Sequence, residues 1–235
     1  MNDRLDLITK DKESALPVIA VSTKDGILFV AINSSIIGLE DSDTYLHKLS
    51  EIHDNIGLGA CGNPSEYDPL RRQFIDIVDR LAYDLSKDDI VLKSLANGLA
   101  GELRDVYRNP RVIPYVVYFL LAECQDDPKR DHFVRISLDG KFKIFNNFTV
   151  IGGHDKEVGV LMDLLKLVNF LEMDWPTALT AIKEAMKKTN IVRIAGGKKS
   201  DKTVEPFPSL EVAILWRGKI GRKWQLLPHQ IKEVK

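Results

Sequence analysis

Short apolar runs, broken by turn residues, follow a polar start to the chain. Residues 1 to 16 carry only a weak helical spacing at Leu5 and Ile8, whereas Val18 to Ser22 and Ile27 to Ile32 are dense in apolar side chains and predict two strands. Between them Lys24-Asp25-Gly26 supplies the turn, because glycine accepts the positive φ that a tight hairpin imposes. Tyr45 to Ile52 and Ile56 to Cys61 predict a second pair of strands around the polar break His53-Asp54-Asn55.

The repeat of apolar positions then lengthens from two residues to about 3.6. From Glu66 to Leu85, the side chains of Tyr67, Leu70, Phe74, Ile77, Val78 and Leu81 fall on one face of a helix that Asn63 or Ser65 can cap. A second helix, from about Asp88 to Tyr107, opens with acids suited to a helix N-terminus, buries Leu92, Leu95, Leu99 and Leu103, and stops at Asn109-Pro110. Strands return at Tyr115 to Glu123, Phe133 to Leu138 and Lys141 to Phe145, the last two joined by Asp139-Gly140, and a short strand, Thr149 to Ile151, runs into Gly152-Gly153. Two more helices follow, about Asp155 to Leu171 and Trp175 to Lys188, the second with Pro176 at its start, where the missing N–H costs nothing. A loop over 195–208, strands at Leu210 to Trp216 and near Lys223 to Leu226, and a short helix after Pro228 complete the pattern. Strand clusters alternating with helix pairs predict an α+β fold, a four-layer αββα sandwich. Residues 17–235 read as one such domain, preceded by an N-terminal extension, 1–16.

Charge and composition act mainly by exclusion. A formal net charge of -1 gives no field toward nucleic acid or anionic membrane, and neither is expected as a partner. The basic loop Gly196 to Lys202 is diluted by Asp201 and holds no aromatic residue; Trp216 and Trp224 flank the basic turn Arg217 to Lys223, where core or interface packing is favoured over base stacking. The longest apolar run, Val112 to Cys124, is interrupted by Pro114 and too short to span a bilayer. Met1 to Asp6 carry acids and no apolar core, unlike a signal peptide, and Cys61 and Cys124 form no CxxC pair, which suits a reducing, cytoplasmic setting. The five histidines show no metal-ligand spacing and the phosphate-cradling glycine patterns are absent, so neither metal nor cofactor is expected. Ser22 and Thr23 precede a turn and lack a neighbouring base in sequence.

Four segments, in order, carry a family resemblance. Val18-Ile19-Ala20-Val21-Ser22-Thr23-Lys24-Asp25-Gly26-Ile27-Leu28-Phe29-Val30-Ala31 resembles the first hairpin of proteasome subunits. Lys48-Leu49-Ser50-Glu51-Ile52 with Asn55-Ile56-Gly57-Leu58-Gly59-Ala60-Cys61-Gly62 looks like the next hairpin. Glu66-Tyr67-Asp68-Pro69-Leu70-Arg71-Arg72 and Ser209-Leu210-Glu211-Val212-Ala213-Ile214-Leu215 are similar to the α subunit of bacterial, actinobacterial-type proteasomes. The resemblance spans roughly residues 17 to 218 and implies the Ntn-hydrolase fold, with departures in the longer stretch between Ala31 and Lys48 and in the missing tyrosine-aspartate-arginine gate motif.

That family makes its own chemistry testable. Active β-type members attack the peptide carbonyl with the hydroxyl of an N-terminal threonine, helped by its free amine. Counting back from Lys24-Asp25-Gly26, that position falls on Pro17, which has no nucleophile; the supporting aspartate matches Asn33 and the supporting basic residue Ser35. The glycine-serine-glycine turn matches Gly152-Gly153-His154-Asp155, without the serine, and only the lysine survives, as Lys48. The resemblance therefore implies a non-catalytic α subunit: a heptameric ring that caps a ring of catalytic β subunits, gates access for unfolded protein substrates and docks a hexameric AAA ATPase. Lys48, Gly62 and Ala15 match its activator-tail pocket, and Met1, Asn2, Asp3, Arg4 and Leu5 its gate. A solvated Lys48 paired with Glu51 or Glu40 is the plainer alternative for that residue. Two other functions stay open: an active Ntn-hydrolase with an unusual nucleophile, and a stand-alone binding protein on the same fold.

Overall fold

The computed structural model describes residues 16–32, 47–84, 90–152, 155–189, 191 and 209–227. Among the described residues ten strands form two antiparallel sheets. One sheet has the order β10-β9-β2-β1-β8, from β1 (Val18–Ser22), β2 (Gly26–Ile32), β8 (Phe148–Ile151), β9 (Leu210–Trp216) and β10 (Trp224–Leu227). The other has the order β3-β4-β5-β6-β7, from β3 (Leu49–His53), β4 (Ile56–Gly62), β5 (Val117–Glu123), β6 (His132–Ile136) and β7 (Phe142–Asn146). Four helices cover them: α1 (Pro64–Asp84), α2 (Leu92–Arg108), α3 (Asp155–Lys166) and α4 (Trp175–Lys187).

Side-chain alternation sorts the apolar residues of each strand into layers. On β1, Val18 and Ala20 enter the layer between the sheets while Ile19 and Val21 face α3 and α4. Phe119 and Leu121 of β5 face α1 and α2, and Leu120 and Ala122 face the first sheet. Both faces of each sheet are thus covered, which is why β1, β2 and β5 are buried at every position. The expected αββα sandwich is what forms.

Several boundaries move for local reasons. Gly26 closes the β1–β2 hairpin at φ +153, where an added Cβ would lie 2.1 Å from the Leu215 carbonyl oxygen. The first helix starts at Pro64, with the Asn63 side chain accepting the Ser65 N–H at 3.2 Å, so Asn63 is the cap. Its Ile77 and Leu81 point outward, 39% and 37% exposed, rather than joining Tyr67, Leu70, Phe74 and Val78 inside. The second helix starts only at Leu92, because Val91 is extended (φ -106, ψ 129); its first turn is therefore not acidic, and Asp88 and Asp89 lie outside the described residues. The third helix ends at Lys166 instead of Leu171, giving way at Asn169 (φ -85, ψ 78) to a 3₁₀ turn, Phe170–Glu172, that seats Phe170 in the core. Expected features at Tyr45, 195–208 and after Pro228 lie outside the described residues. Trp224 is a core residue, edge-to-face with Phe29 (5.3 Å between centroids, 61°), while the half-buried Trp216 donates its indole N–H to the Gln225 side chain at 2.9 Å.

At the hairpin end of the sandwich a buried ion pair joins the sheets. Arg217, just past β9, sets its guanidinium nitrogens 2.9 and 2.7 Å from the two carboxylate oxygens of Asp131 and donates to the carbonyls of Gln125 and Thr23. Asp131 also accepts the Gln125 N–H at 2.8 Å and the Ser22 hydroxyl. A carboxylate thus does stand beside Ser22, but it is spent on Arg217 and is no base. Removing one member of a buried pair strands the other charge, at a cost of about 3–5 kcal/mol. Asp131→Ala is expected to lower the unfolding free energy of the isolated chain by that amount, read as a lower urea midpoint with the m-value unchanged. In a double-mutant cycle, Asp131→Ala with Arg217→Met is expected to cost less than the sum of the two; strict additivity would show the pair to be uncoupled.

Candidate docking site and the catalytic position

At the opposite end of the sandwich, Pro17 sits buried immediately ahead of β1, its carbonyl accepting the Ile32 N–H at 3.2 Å. The position that would carry a nucleophile therefore holds a ring with no hydroxyl. Leu16, just upstream, is 9% exposed and belongs to the core between sheet and helices. Asn33, Ser35, Gly153 and His154 lie outside the described residues, as do Ala15 and Met1 to Leu5.

Lys48 precedes β3 and is half-buried. Its ammonium donates to the Ile32 carbonyl at 2.6 Å, and its own carbonyl accepts the Ala60 N–H at 2.8 Å. An ammonium has three donors, and Ile32 takes one of them among the described residues. Burial pushes the Lys48 pKa below the usual lysine value; Cys61 and Glu211 act the other way. Cys61 is itself buried to a thiol of about 12 and is neutral near pH 7, which leaves the Glu211 carboxylate as the operative counter-charge. The expected alternative partner Glu51 is engaged elsewhere, by Arg222 at 2.8 Å; Glu40 lies outside the described residues.

Glu211 was legible only as an odd carboxylate inside an apolar strand, and its role escapes sequence reading. It is 6% exposed on β9, and its carboxylate accepts the Lys48 N–H at 2.9 Å and the Leu49 N–H at 3.3 Å, with His47 Nδ1 at 3.1 Å. Tyr67 of α1 faces the same cluster: burial, then the charges of Glu211, Cys61 and Asp68, push its phenol up to about 12 against the opposing pull of Arg71.

Gly62 ends β4 two residues beyond Ala60, at the same end of the sheet as Lys48. It was expected to be small to leave room for an incoming backbone. Its nearer reason is internal: at φ +119 an added Cβ would lie 2.0 Å from the Val116 carbonyl oxygen. The Glu66–Arg72 segment secures this end as well. Glu66 accepts the Val116 N–H at 2.7 Å, and Arg71 links Asp68 to the Ser50 hydroxyl, 2.6 Å away. Beside β3 runs a groove of about 540 Å³, lined in part by His47, Ser50, His53, Arg71, Asp79 and Trp224. Among the described residues no cluster of ligands suits a metal ion, and no helix is long and apolar enough to cross a membrane.

Two stacked antiparallel sheets between helix pairs, with proline where the nucleophile belongs, define a sandwich of the Ntn-hydrolase type without its nucleophile. Residues 13–198 match a family model described as proteasome subunit. The chain is similar to the proteasome subunit alpha of Saccharomonospora viridis, at 31% identity over 226 residues, 96% of this chain and 82% of that one. It is likewise similar to those of Streptosporangium roseum (31% over 229 residues, 95% and 78%) and Rhodococcus opacus (31% over 228 residues, 96% and 81%). The chain belongs to the proteasome subunit family, on its non-catalytic α side, where the protease chemistry lies in the β subunits. A threonine-directed electrophile is accordingly expected to leave this chain unlabelled and the purified chain to cleave no peptide; a covalent adduct on it, read by intact mass, would refute this.

Proposed function

We propose that this chain forms a heptameric outer ring on a ring of catalytic β subunits, that the ring gates access of unfolded substrates to the proteolytic chamber, and that it docks a hexameric AAA ATPase in the cytoplasm. The observation that carries the docking reading is the Lys48 ammonium, fixed by one bond to Ile32 and left with donors for an incoming carboxylate. The C-terminal carboxylate of an ATPase tail is its ligand, and Gly62 and Ala15 complete the pocket. The gate reading rests on the polar stretch Met1, Asn2, Asp3, Arg4 and Leu5, part of the extension, 1–16, ahead of a single domain, 17–235.

Lys48→Ala is expected to leave ring assembly and small-peptide cleavage by the assembled particle intact while weakening ATPase docking tenfold or more, about 1.4 kcal/mol. Docking as tight as in the wild type would reduce Lys48 to a surface charge. The docking charge is lost as pH rises through the lowered pKa of Lys48, before ordinary lysines titrate at 10.5. Lys48→Arg keeps its charge across that window, so its affinity should hold to higher pH than the wild type's; parallel profiles would remove the lysine from docking. Deleting residues 1–8 is expected to raise peptide turnover by the assembled particle, since the barrier is steric. Unchanged turnover would leave those residues a plain tail.

A further inference from the structure

A lysine that recognises a carboxylate must be held still, and one side chain from the other sheet does this. The N-terminal end of β3 presents two successive backbone N–H groups, of Lys48 and Leu49, and both are satisfied by the carboxylate of Glu211. Glu211 is reached across the inter-sheet layer: it pairs with Ala31 on β2, shares its side of β9 with Ala213 and Leu215, and crosses to β3 with the inter-sheet apolar residues. The same carboxylate stands 3.1 Å from Nδ1 of His47, whose ring is otherwise exposed. Three constraints therefore meet on Lys48, its N–H on Glu211, its C=O on the Ala60 N–H and its ammonium on the Ile32 C=O, and a fourth holds its neighbour, the Leu49 N–H on Glu211.

We infer that Glu211 is a positioning residue for the docking lysine: it fixes the backbone of Lys48 so that the ammonium rests on Ile32 with its remaining donors presented to a terminal carboxylate. The inference rests on the docking reading of Lys48 proposed above. It also explains how an acid is tolerated beside a site meant for another acid. Two backbone N–H donors and the imidazole take up the carboxylate's lone pairs, so that its charge is engaged away from the incoming group. Replacement by glutamine keeps the shape but substitutes a neutral amide with a single acceptor oxygen, which cannot satisfy both N–H groups as the carboxylate does.

The test compares two probes on the assembled core particle: the C-terminal tail peptide of its ATPase as the free acid, and the same peptide amidated. The wild type is expected to prefer the acid at least tenfold. Glu211→Gln and Glu211→Asp, the latter retracting the carboxylate by one methylene, should each collapse that preference toward the level of Lys48→Ala. Adding Lys48→Ala to either should lower it no further, because Glu211 acts through the lysine. Amide exchange should meanwhile speed up at Lys48 and Leu49. A loss shared equally by acid and amide peptides would mark Glu211 as merely structural and overturn the inference. So would an intact acid preference in a Glu211 variant alongside its loss in Lys48→Ala, and that outcome would leave the docking reading standing. An intact preference in Lys48→Ala itself would overturn the docking reading and this inference together.

Discussion

Two apolar sheet faces laid on one another have no intrinsic reason to stop sliding, since hydrophobic contact is non-directional. In this chain two of the directional ties come from one strand. Side chains at 211, 213, 215 and 217 alternate onto the inter-sheet side of β9, and the first and last of the four are charged. Glu211 reaches the start of β3 at one end, and Arg217 reaches Asp131 and Gln125, between β5 and β6, at the other. Between these ties lie Ala213 and Leu215, which belong to the same layer as Phe29, Leu120 and Phe133. A strand pinned at both ends against the opposing sheet sets where Pro17, Ile32 and Lys48 meet, and everything proposed for the site follows from that register.

The two ties differ in kind. Arg217 and Asp131 form a bidentate pair with almost no exposure, 9% and 0% for their side chains, so each charge has its counterpart and the arrangement is closed. Glu211 is answered by backbone N–H groups and by a histidine at the surface, which leaves the nearby Lys48 ammonium without a full ion pair of its own. At one end each charge meets its opposite, although the buried Nε of Arg217 has no hydrogen-bond partner among the described residues, and the other end lies beside a groove.

The fold was legible because its signals are redundant. Every strand of the first sheet is announced by a dense apolar run, and Asp25-Gly26 and Asp139-Gly140 each sit at a hairpin that forms. Boundaries slipped where tertiary structure overrides local preference: Ile90 and Val91 are apolar enough to extend the second helix backwards, yet Val91 is extended and exposed while Ile90 is buried in the core. Pro17 could be read directly, because a counting argument from one glycine turn needs no knowledge of contacts. Glu211, Asp131 and Arg217 could not. Each finds partners more than 80 residues away in sequence, and no local pattern carries a pairing of that range.

Lys48 is the one catalytic-type residue that this end of the chain keeps, and its surroundings argue that stability is not the reason. Burial alone lowers the pKa of an ammonium because the charged form is disfavoured there, and a single carbonyl bond with a carboxylate near the backbone offsets that only in part. An apolar side chain of similar length would bury without that cost. On the docking reading proposed for Lys48, the charge serves a group that arrives from outside. A perturbed ionisable residue, anchored but incompletely paired, at the end of a rigid sandwich is the physical form of a binding determinant. In a chain whose chemistry resides in partner subunits, the proposed docking role gives a lysine matched to the catalytic one a use in recognition.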